Sequence, residues 1–92
     1  MIRSIRHRGL KRLFERDDRS KLPPDLAERI NRILTRLNVA GSIEDIDAPG
    51  LGLHRLTGDL KGLWSVTVSR NWRIVFRFED GDAFDVDFLD YH

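Results

Sequence analysis

The chain has 92 residues, with 16 Lys and Arg side chains against 15 Asp and Glu, so its formal net charge is +1. This length fits a single domain over residues 1–92 and excludes a two-domain enzyme. The chain has no Cys, which excludes a disulfide framework. It also has no apolar run long enough to cross a membrane and no signal-peptide stretch, so a cytoplasmic location is predicted.

Two helices are predicted in the first half of the chain. Apolar side chains at helical spacing predict one helix over residues 9–16 and a second, with Asp25 in its first turn, that reaches about residue 38. The polar residues 17–24 between them end in two prolines and predict a loop. On its polar face the second helix has a basic stripe: Arg29, Arg32 and Arg36. Such a stripe is usually a solvent-exposed face.

The spacing of the apolar residues changes to two in the second half. Three runs alternate between apolar and polar side chains, at residues 64–69, 72–78 and 84–89. Short polar turns join them, which predicts an antiparallel meander with one buried face. The fold class is therefore predicted to be α+β, with two N-terminal α-helices packed on a C-terminal antiparallel β-sheet.

The register of the last hairpin follows from parity, because cross-strand partners must share a face. A turn of only two residues would place core side chains opposite surface side chains. A three-residue turn at residues 80–82 instead pairs Phe78 with Phe84 and Ile74 with Phe88. It also sets Arg77 opposite Asp85. The longer turn is therefore predicted.

The same parity argument applies to the preceding hairpin. It favours a three-residue turn at residues 69–71, which pairs Val68 with Trp72. In the adjoining strand pair, the predicted register sets Arg73 opposite Leu89. Arg73 is thus predicted to project from the solvent face without a carboxylate directly across from it.

Charge is distributed unevenly along the chain. Residues 1–21 have eight basic and three acidic side chains, and residues 22–78 have eight and six. Residues 79–92 have six acidic side chains and no Lys or Arg. Such asymmetry indicates either a basic surface for a polyanion or pairing of the oppositely charged segments within the fold, and both interpretations are retained.

Searches for motifs leave a small set of candidate residues. There is no phosphate-binding glycine loop, and the three His residues lack the spacing of metal ligands, so no metal and no cofactor are expected. The candidate catalytic residues are His54, Arg73, Asp90, Tyr91 and His92. Imidazoles suit proton transfer near neutral pH, and a guanidinium suits a phosphate that gains charge. Taken singly, His54 is more often an ordinary strand residue, and the last three residues are more often an ordinary polar terminus.

Several segments, in this order, resemble the HigB (plasmid-maintenance killer) branch of the RelE-like toxins of type II toxin–antitoxin systems. The N-terminal Met-Ile-Arg-Ser is followed by residues 53–59 (Leu-His-Arg-Leu-Thr-Gly-Asp) and 62–68 (Gly-Leu-Trp-Ser-Val-Thr-Val). Asn-Trp-Arg-Ile at residues 71–74 and the terminal Asp-Tyr-His at residues 90–92 complete the pattern. The resemblance extends over essentially the whole chain.

The resemblance implies a metal-independent endoribonuclease, an mRNA interferase that cleaves ribosome-bound mRNA and so inhibits translation. Attack by the ribose 2′-hydroxyl would leave a 2′,3′-cyclic phosphate and a 5′-hydroxyl. The implied partners are the ribosome, mRNA and a cognate helix-turn-helix antitoxin of the HigA type, with operator DNA bound only through the antitoxin. No membrane partner is expected.

Residue roles follow from the same resemblance. His92 is the expected general acid, and Arg73 is expected to stabilise the charge of the phosphorane-like transition state. His54 or Asp90 would accept or relay the proton of the 2′-hydroxyl, with the acid and base roles open to exchange, and Tyr91 would orient a neighbour or stack on a base. The expected RNA- and phosphate-binding residues are Lys61, Arg70, Arg55 and Arg3.

Two positions depart from the pattern of the family. Relatives often have Lys where this chain has Thr57, and Arg where it has Ser69. Weaker phosphate binding is the expected consequence. Two alternatives therefore stay open: a module that binds RNA or the ribosome without cleavage, and a degenerate toxin that retains only antitoxin binding. For the basic N-terminal segment and the basic stripe of the second helix, two uses are open: binding of rRNA or docking of an acidic antitoxin.

Overall fold

The computed structural model describes residues 1–90, and Tyr91 and His92 lie outside the described residues. Two helices precede four strands: α1 (Arg8–Arg16), α2 (Ala27–Val39), β1 (His54–Arg55), β2 (Trp64–Thr67), β3 (Trp72–Glu79) and β4 (Asp82–Asp90). The strands form one antiparallel sheet in the order β1-β2-β3-β4. The predicted α+β fold is confirmed, and the short β1 extends the predicted meander. Within residues 1–90, neither helix is long and apolar enough to cross a bilayer.

Both helices pack on one face of the sheet and form the main core with it. The helical core residues are Leu10, Leu13, Ile30, Ile33, Leu34 and Leu37, and the strand residues include Val66, Ile74, Phe76, Val86 and Phe88. Burial of each such side chain contributes about 1.5–3 kcal/mol. Phe14, which helical spacing places on the same face of α1 as Leu10 and Leu13, retains 37% of its surface exposed and borders a groove beside the N-terminal segment.

The ends of α1 are fixed by local hydrogen bonds. The Nδ1 atom of His7 accepts a hydrogen bond from the Leu10 amide at 3.2 Å, so the helix begins at Arg8, one residue before the predicted start. At the other end, Asp17 takes a left-handed conformation and its amide donates to the Leu13 carbonyl. These contacts satisfy backbone groups that a short helix otherwise leaves unpaired.

The N-terminal segment adds a feature that the sequence pattern did not predict. Ile2 and Ile5 form isolated parallel bridges with Ala83 and Val86 of β4. Parallel pairing with a strand at the other end of the chain has no local turn signal, and the two isoleucines are three residues apart rather than two. The segment therefore lacks the alternation that identifies a strand.

The β2–β3 hairpin has the predicted register. Val66 pairs with Ile74 and Thr67 with Arg73. In the turn region, the Val68 amide donates to the Trp72 carbonyl at 3.0 Å, which continues this register. The prediction that Val68 lies opposite Trp72 is therefore confirmed.

The β3–β4 hairpin agrees with the prediction at one end and differs at the turn. Ile74 pairs with Phe88, as predicted, but Phe78 pairs with Ala83 rather than with Phe84. The turn contains two residues, Asp80 and Gly81, and both have positive φ angles. Positive φ at both central residues is the geometry that Asp-Gly favours in tight hairpins. The predicted three-residue turn is therefore wrong.

A β-bulge reconciles the short turn with the buried face. The register shifts by one residue between Val75 and Arg77, and Asp85 on the opposing strand has a φ of 55°. The extra residue restores the alternation beyond the bulge. Phe84 consequently lies outside the core, with the Arg77 guanidinium 4.5 Å from its ring centroid. Arg77 and Asp85 are not cross-strand partners, yet they form the expected ion pair at 3.7 Å.

Candidate active site

A depression of about 330 Å³ lies on the face of the sheet away from the helices. Its lining comes from the loop before β1 and from three neighbouring strands: Gly52, His54, Leu56, Ser65, Thr67 and Arg73. His54 pairs with Ser65, and Thr67 pairs with Arg73, so these four side chains share one face. Two of the predicted catalytic residues are thereby brought to one site.

Strand spacing sets the dimensions of this site. His54 on β1 and Arg73 on β3 are separated by β2 and offset by two residues along the strands. Standard sheet geometry then gives a backbone separation of roughly 12 Å. This separation leaves room for a phosphodiester group between the two positions.

Buried side chains form part of the floor of the depression. Leu56 and Val75 are buried but do not belong to the main core cluster. Ser65, the cross-strand partner of Val75, is 4% exposed. A floor of this kind lowers the local dielectric constant, which strengthens the interaction of a nearby guanidinium with a phosphate.

The guanidinium of Arg73 is held by the turn that precedes its own strand. Its Nη1 atom donates to the carbonyl oxygens of Ser69 at 2.7 Å, Trp72 at 3.1 Å and Arg70 at 3.5 Å. Arg73 is opposite Leu89 on β4, as predicted. A planar, permanently charged group held by several acceptors is well suited to a fixed phosphate contact.

His54 is exposed at the rim of the depression, on the short strand β1. The loop before it passes close to β2, because the Thr67 amide donates to the Leu51 carbonyl at 2.7 Å. Gly52 in this loop has a φ of 57°. The position of the imidazole therefore depends on a backbone conformation that glycine adopts readily.

The C-terminal candidates are placed only in part. Asp90 is the last residue of β4 and is paired with Trp72, one position beyond the pair formed by Arg73 and Leu89. The backbone of Asp90 is thus brought near the candidate site. Tyr91 and His92 lie outside the described residues, so their predicted roles stay predictions.

The predicted phosphate-binding residues are distributed unequally. Arg70 is exposed in the turn whose carbonyls hold Arg73, and Lys61 is exposed in the turn before β2. The guanidinium of Arg55 lies 5.3 Å from the ring centroid of Trp64. Because Arg55 follows His54 on a strand, it projects to the opposite face of the sheet.

Arg3 is not brought to this site. Its Nε atom forms an ion pair with Asp82 at 3.2 Å, and its amide donates to the Ala83 carbonyl. Ala83 precedes Leu89 by six residues, so roughly 20 Å of β4 separate Arg3 from the strand position opposite Arg73. A hydrogen bond from the Met1 ammonium, with a further contribution from Arg3, lowers the pKa of Asp82.

Arg29 has a role that the basic stripe did not indicate. Its Nε atom donates to the Val68 carbonyl at 2.8 Å, and its Nη2 atom donates to the carbonyls of Gly50 at 2.9 Å and Thr67 at 3.0 Å. Arg32 instead forms an exposed ion pair with Glu28 at 3.6 Å. No local pattern distinguishes the two arginines, because the carbonyls that Arg29 binds come much later in the chain.

Ser65 and Thr67 were also missed as lining residues of the site. Both were treated only as the polar positions of an alternating strand. Their place beside His54 and Arg73 follows from the observed register of three strands.

Within residues 1–90, no group of three or more His, Asp or Glu side chains is arranged to hold a metal ion.

Sequence comparison identifies close relatives over the full length. The profile of the HigB-like toxin family, described as the RelE-like toxin of the type II toxin–antitoxin system HigB, matches residues 3–92. Endoribonuclease HigB of Proteus vulgaris is 44% identical over 92 residues, which is 100% of both chains. Toxin HigB-1 of Vibrio cholerae serotype O1 is 32% identical over 94 residues, with 100% of this chain and 98% of that one covered.

Structural comparison gives the same fold. A crystal structure of a YafQ point mutant from E. coli superposes with a TM-score of 0.62 at 17% identity, covering 98% of this chain and 91% of that chain. YafQ from E. coli strain BL21(DE3) gives a TM-score of 0.57 at 12% identity with the same coverage. On the sequence matches, this chain belongs to the HigB-like family, the RelE-like toxins of type II toxin–antitoxin systems.

Proposed function

We propose that this protein is an endoribonuclease that cleaves mRNA on the ribosome and thereby inhibits translation. The observation that supports this function is the depression that brings His54 and Arg73 to one face of the sheet. The full-length relative of 44% identity that is named an endoribonuclease supports the same reaction class. A small, open site suits an mRNA substrate that the ribosome holds in a fixed conformation.

The proposed reaction needs no external nucleophile. The ribose 2′-oxygen attacks the adjacent phosphorus in line, the bond from phosphorus to the 5′-oxygen breaks, and a 2′,3′-cyclic phosphate forms. The proton of the 2′-hydroxyl goes to His54 or Asp90, and the leaving 5′-oxygen receives a proton from His92. Because all bond changes involve the substrate and side chains, we propose that cleavage is independent of metal ions.

Arg73 supplies the main electrostatic stabilisation in this proposal. Negative charge builds up on the non-bridging phosphate oxygens in the transition state, and a guanidinium already held in place stabilises it without reorganisation. Its anchoring to the Ser69 and Trp72 carbonyls supplies that preorganisation. Tyr91 orients a neighbouring group or stacks on a base.

The neighbouring basic residues bind the RNA on both sides of the scissile phosphate. Arg70 and Lys61 are exposed and come from turns near the ends of β2. These two residues contribute charge that favours RNA binding at low ionic strength, and Arg55 on the opposite face adds to the overall positive charge. A cognate antitoxin of the HigA type, with a helix-turn-helix domain, is the proposed inhibitor and the route to operator DNA.

The decisive experiment is primer extension on cellular mRNA after brief expression of matched variants. Wild type is expected to cut within translated codons, whereas Arg73→Ala and His92→Ala reduce cleavage by about 100-fold or more. Arg77→Ala is the matched control, because Arg77 lies on the same strand but is paired with Glu79 and Asp85. This control is expected to cleave as wild type does.

The chemistry is tested in a purified system of ribosomes and mRNA. Cleavage should require ribosomes, persist in EDTA and stop when the scissile nucleotide lacks its 2′-hydroxyl. The downstream fragments should accept phosphate from polynucleotide kinase without prior phosphatase treatment. Ribosome binding without cleavage by wild type would instead support a binding module, and activity that appears only with Thr57→Lys would identify a degenerate toxin.

A further inference from the structure

We infer that Arg29, on the first turn of α2, is a positioning residue for the candidate active site. It joins two segments next to the depression: the loop before β1, which leads to His54, and the end of β2 with the turn that follows it, which holds Arg73. This inference rests on the proposed function, since positioning is defined here by its effect on RNA cleavage.

The first step of the argument is the set of acceptors. Arg29 donates to the carbonyls of Thr67 and Val68 at the end of β2 and to that of Gly50 in the loop before β1. All three acceptors belong to backbone outside the α-helix. One planar guanidinium with donors in a fixed fork binds these carbonyls together, so it fixes the distance between the two segments.

The second step connects these carbonyls to the site. Val68 directly precedes Ser69, whose carbonyl accepts a hydrogen bond from Arg73 at 2.7 Å. Thr67 lines the depression and pairs with Arg73 across the sheet. A shift of this turn would therefore move the anchor of the Arg73 guanidinium as well as its cross-strand neighbour.

The third step concerns the loop before β1. Gly50 lies two residues before Gly52, which lines the depression, and four before His54. The hydrogen bond from the Thr67 amide to the Leu51 carbonyl already ties this loop to β2. Arg29 adds a hydrogen bond from α2 to the Gly50 carbonyl in this loop. Both segments are therefore held by the same helix.

Arg29 itself does not line the depression. It instead borders a separate groove on the helix side, together with Arg32, Ile33 and Arg36. A substrate in the depression would meet Arg73 and His54 and not Arg29. Its effect on cleavage must therefore pass through the turn and the loop.

The test compares single-turnover cleavage at saturating mRNA-programmed ribosomes with the ribosome concentration that gives half-saturation. Arg29→Met removes the three donors while keeping an aliphatic side chain, and it should lower the cleavage rate constant by about tenfold or more. The half-saturating concentration should change by less than about twofold. Arg29→Lys keeps the positive charge but lacks the planar guanidinium that binds several carbonyls at once. Its cleavage rate constant should therefore lie between those of Arg29→Met and wild type.

The matched control is Ile33→Val, one turn further along α2. Ile33 is buried in the core, so its truncation costs about 1 kcal/mol of stability and removes none of the three hydrogen bonds of Arg29. It should cleave at the wild-type rate at temperatures where it is folded. If Ile33→Val lost as much activity as Arg29→Met, or if Arg29→Lys cleaved fully, the fork of Arg29 would not be what positions the site.

A second measurement separates this inference from the proposed function. The Ser69 amide donates to the Trp72 carbonyl at 3.2 Å inside the turn. Hydrogen exchange at this amide should be about tenfold faster in Arg29→Met and unchanged in Ile33→Val. If the wild-type protein cleaves no RNA, the proposed function fails. Faster exchange in Arg29→Met would then still show that Arg29 restrains the turn between β2 and β3. Unchanged exchange would overturn the role of Arg29 whatever the cleavage assay shows.

Discussion

The indole of Trp72 stacks on the ring of Phe88, with the ring centroids 4.4 Å apart and the planes 12° from parallel. Trp72 begins β3 and is paired with Asp90. The imidazole of His7 contacts the Phe88 ring edge-on, with the ring centroids 5.5 Å apart. The stack therefore fixes the end of the β3–β4 pair at which Asp90 lies.

Removal of this stack should destabilise the fold. Trp72→Ala is expected to lower the free energy of unfolding by about 3 kcal/mol, because both apolar burial and the aromatic contact are lost. Trp72→Phe should cost less than half as much, since a ring can still stack. Urea unfolding followed by circular dichroism measures both variants.

The matched control for the stack is Phe84→Ala. Phe84 lies outside the core under the Arg77 guanidinium, so its loss should cost only about 1 kcal/mol. An equal loss of stability in Phe84→Ala and Trp72→Ala would show that the Trp72 stack contributes nothing beyond an ordinary surface contact.

The two-residue turn of the β3–β4 hairpin depends on Gly81. Its φ is 80°, and a Cβ atom there would lie 3.3 Å from the Gly41 carbonyl oxygen. Gly81→Ala should therefore destabilise the protein by at least about 1 kcal/mol, measured as a lower urea midpoint with an unchanged slope. Asp80→Asn should stay within about 0.5 kcal/mol of wild type, because Asn-Gly suits the same turn. A neutral Gly81→Ala would rule out the positive φ.

The register of this hairpin shows where parity reasoning reaches its limit. Alternation correctly paired Ile74 with Phe88, because no irregularity intervenes near that end. It failed at Phe84, because parity assumes an unbroken ladder and the bulge at Asp85 adds a residue. The Asp-Gly sequence was the stronger local signal, since it specifies the turn directly.

The charge distribution is explained in part by ion pairs within the fold. Asp82 binds the Met1 ammonium at 3.1 Å and Arg3 at 3.2 Å, while Asp85 pairs with Arg77. The acidic last strand thus lies against the basic first segment, as one of the two interpretations expected. The pairing required a parallel contact between the chain ends, which no local pattern encodes.

The candidate site was predictable to the extent that its residues lie in recognisable segments. His54 and Arg73 were identified from those segments, and the sheet brings them together. Arg29 was not identified, because its function is defined by backbone carbonyls brought near it only by folding. Every residue type has a backbone carbonyl, so a side chain that binds the main chain has no partner that can be recognised in the sequence.

Asp82 should contribute to the acid sensitivity of the fold. The hydrogen bond from the Met1 ammonium holds the pKa of Asp82 below its ordinary value of 3.8, and Arg3 adds to this effect. A carboxyl group whose pKa is lower in the folded state stabilises fully above its unfolded pKa, and this stabilisation is lost as the pH falls through the folded pKa. Wild type should therefore exceed Asp82→Asn in stability at pH 6, and the difference should shrink below about pH 4.

Urea unfolding at several pH values measures this difference. Ile33→Val, which changes no titratable group, is the control and should give a difference that does not depend on pH in the same window. A gap between wild type and Asp82→Asn that stays constant down to pH 3 would contradict the assigned role of the ion pair.

Gly52 links backbone conformation to the candidate site. Its φ is 57°, and a Cβ atom at this position would lie 2.8 Å from the Thr67 Oγ1 atom, well inside contact distance. Gly52→Ala should therefore push the loop away from β2 and displace His54, which follows two residues later. Cleavage should fall by about tenfold or more, because small misplacements of reacting groups have large effects on rate.

The double variant Gly52→Ala with Thr67→Ala separates the steric cause from the conformational one. Removal of the Thr67 hydroxyl relieves the close contact but leaves the strained φ, so cleavage should recover in part relative to Gly52→Ala. Thr67→Ala alone provides the reference for any direct effect of the hydroxyl on the RNA. If the double variant were no more active than Gly52→Ala, the collision with Thr67 would not be what displaces His54.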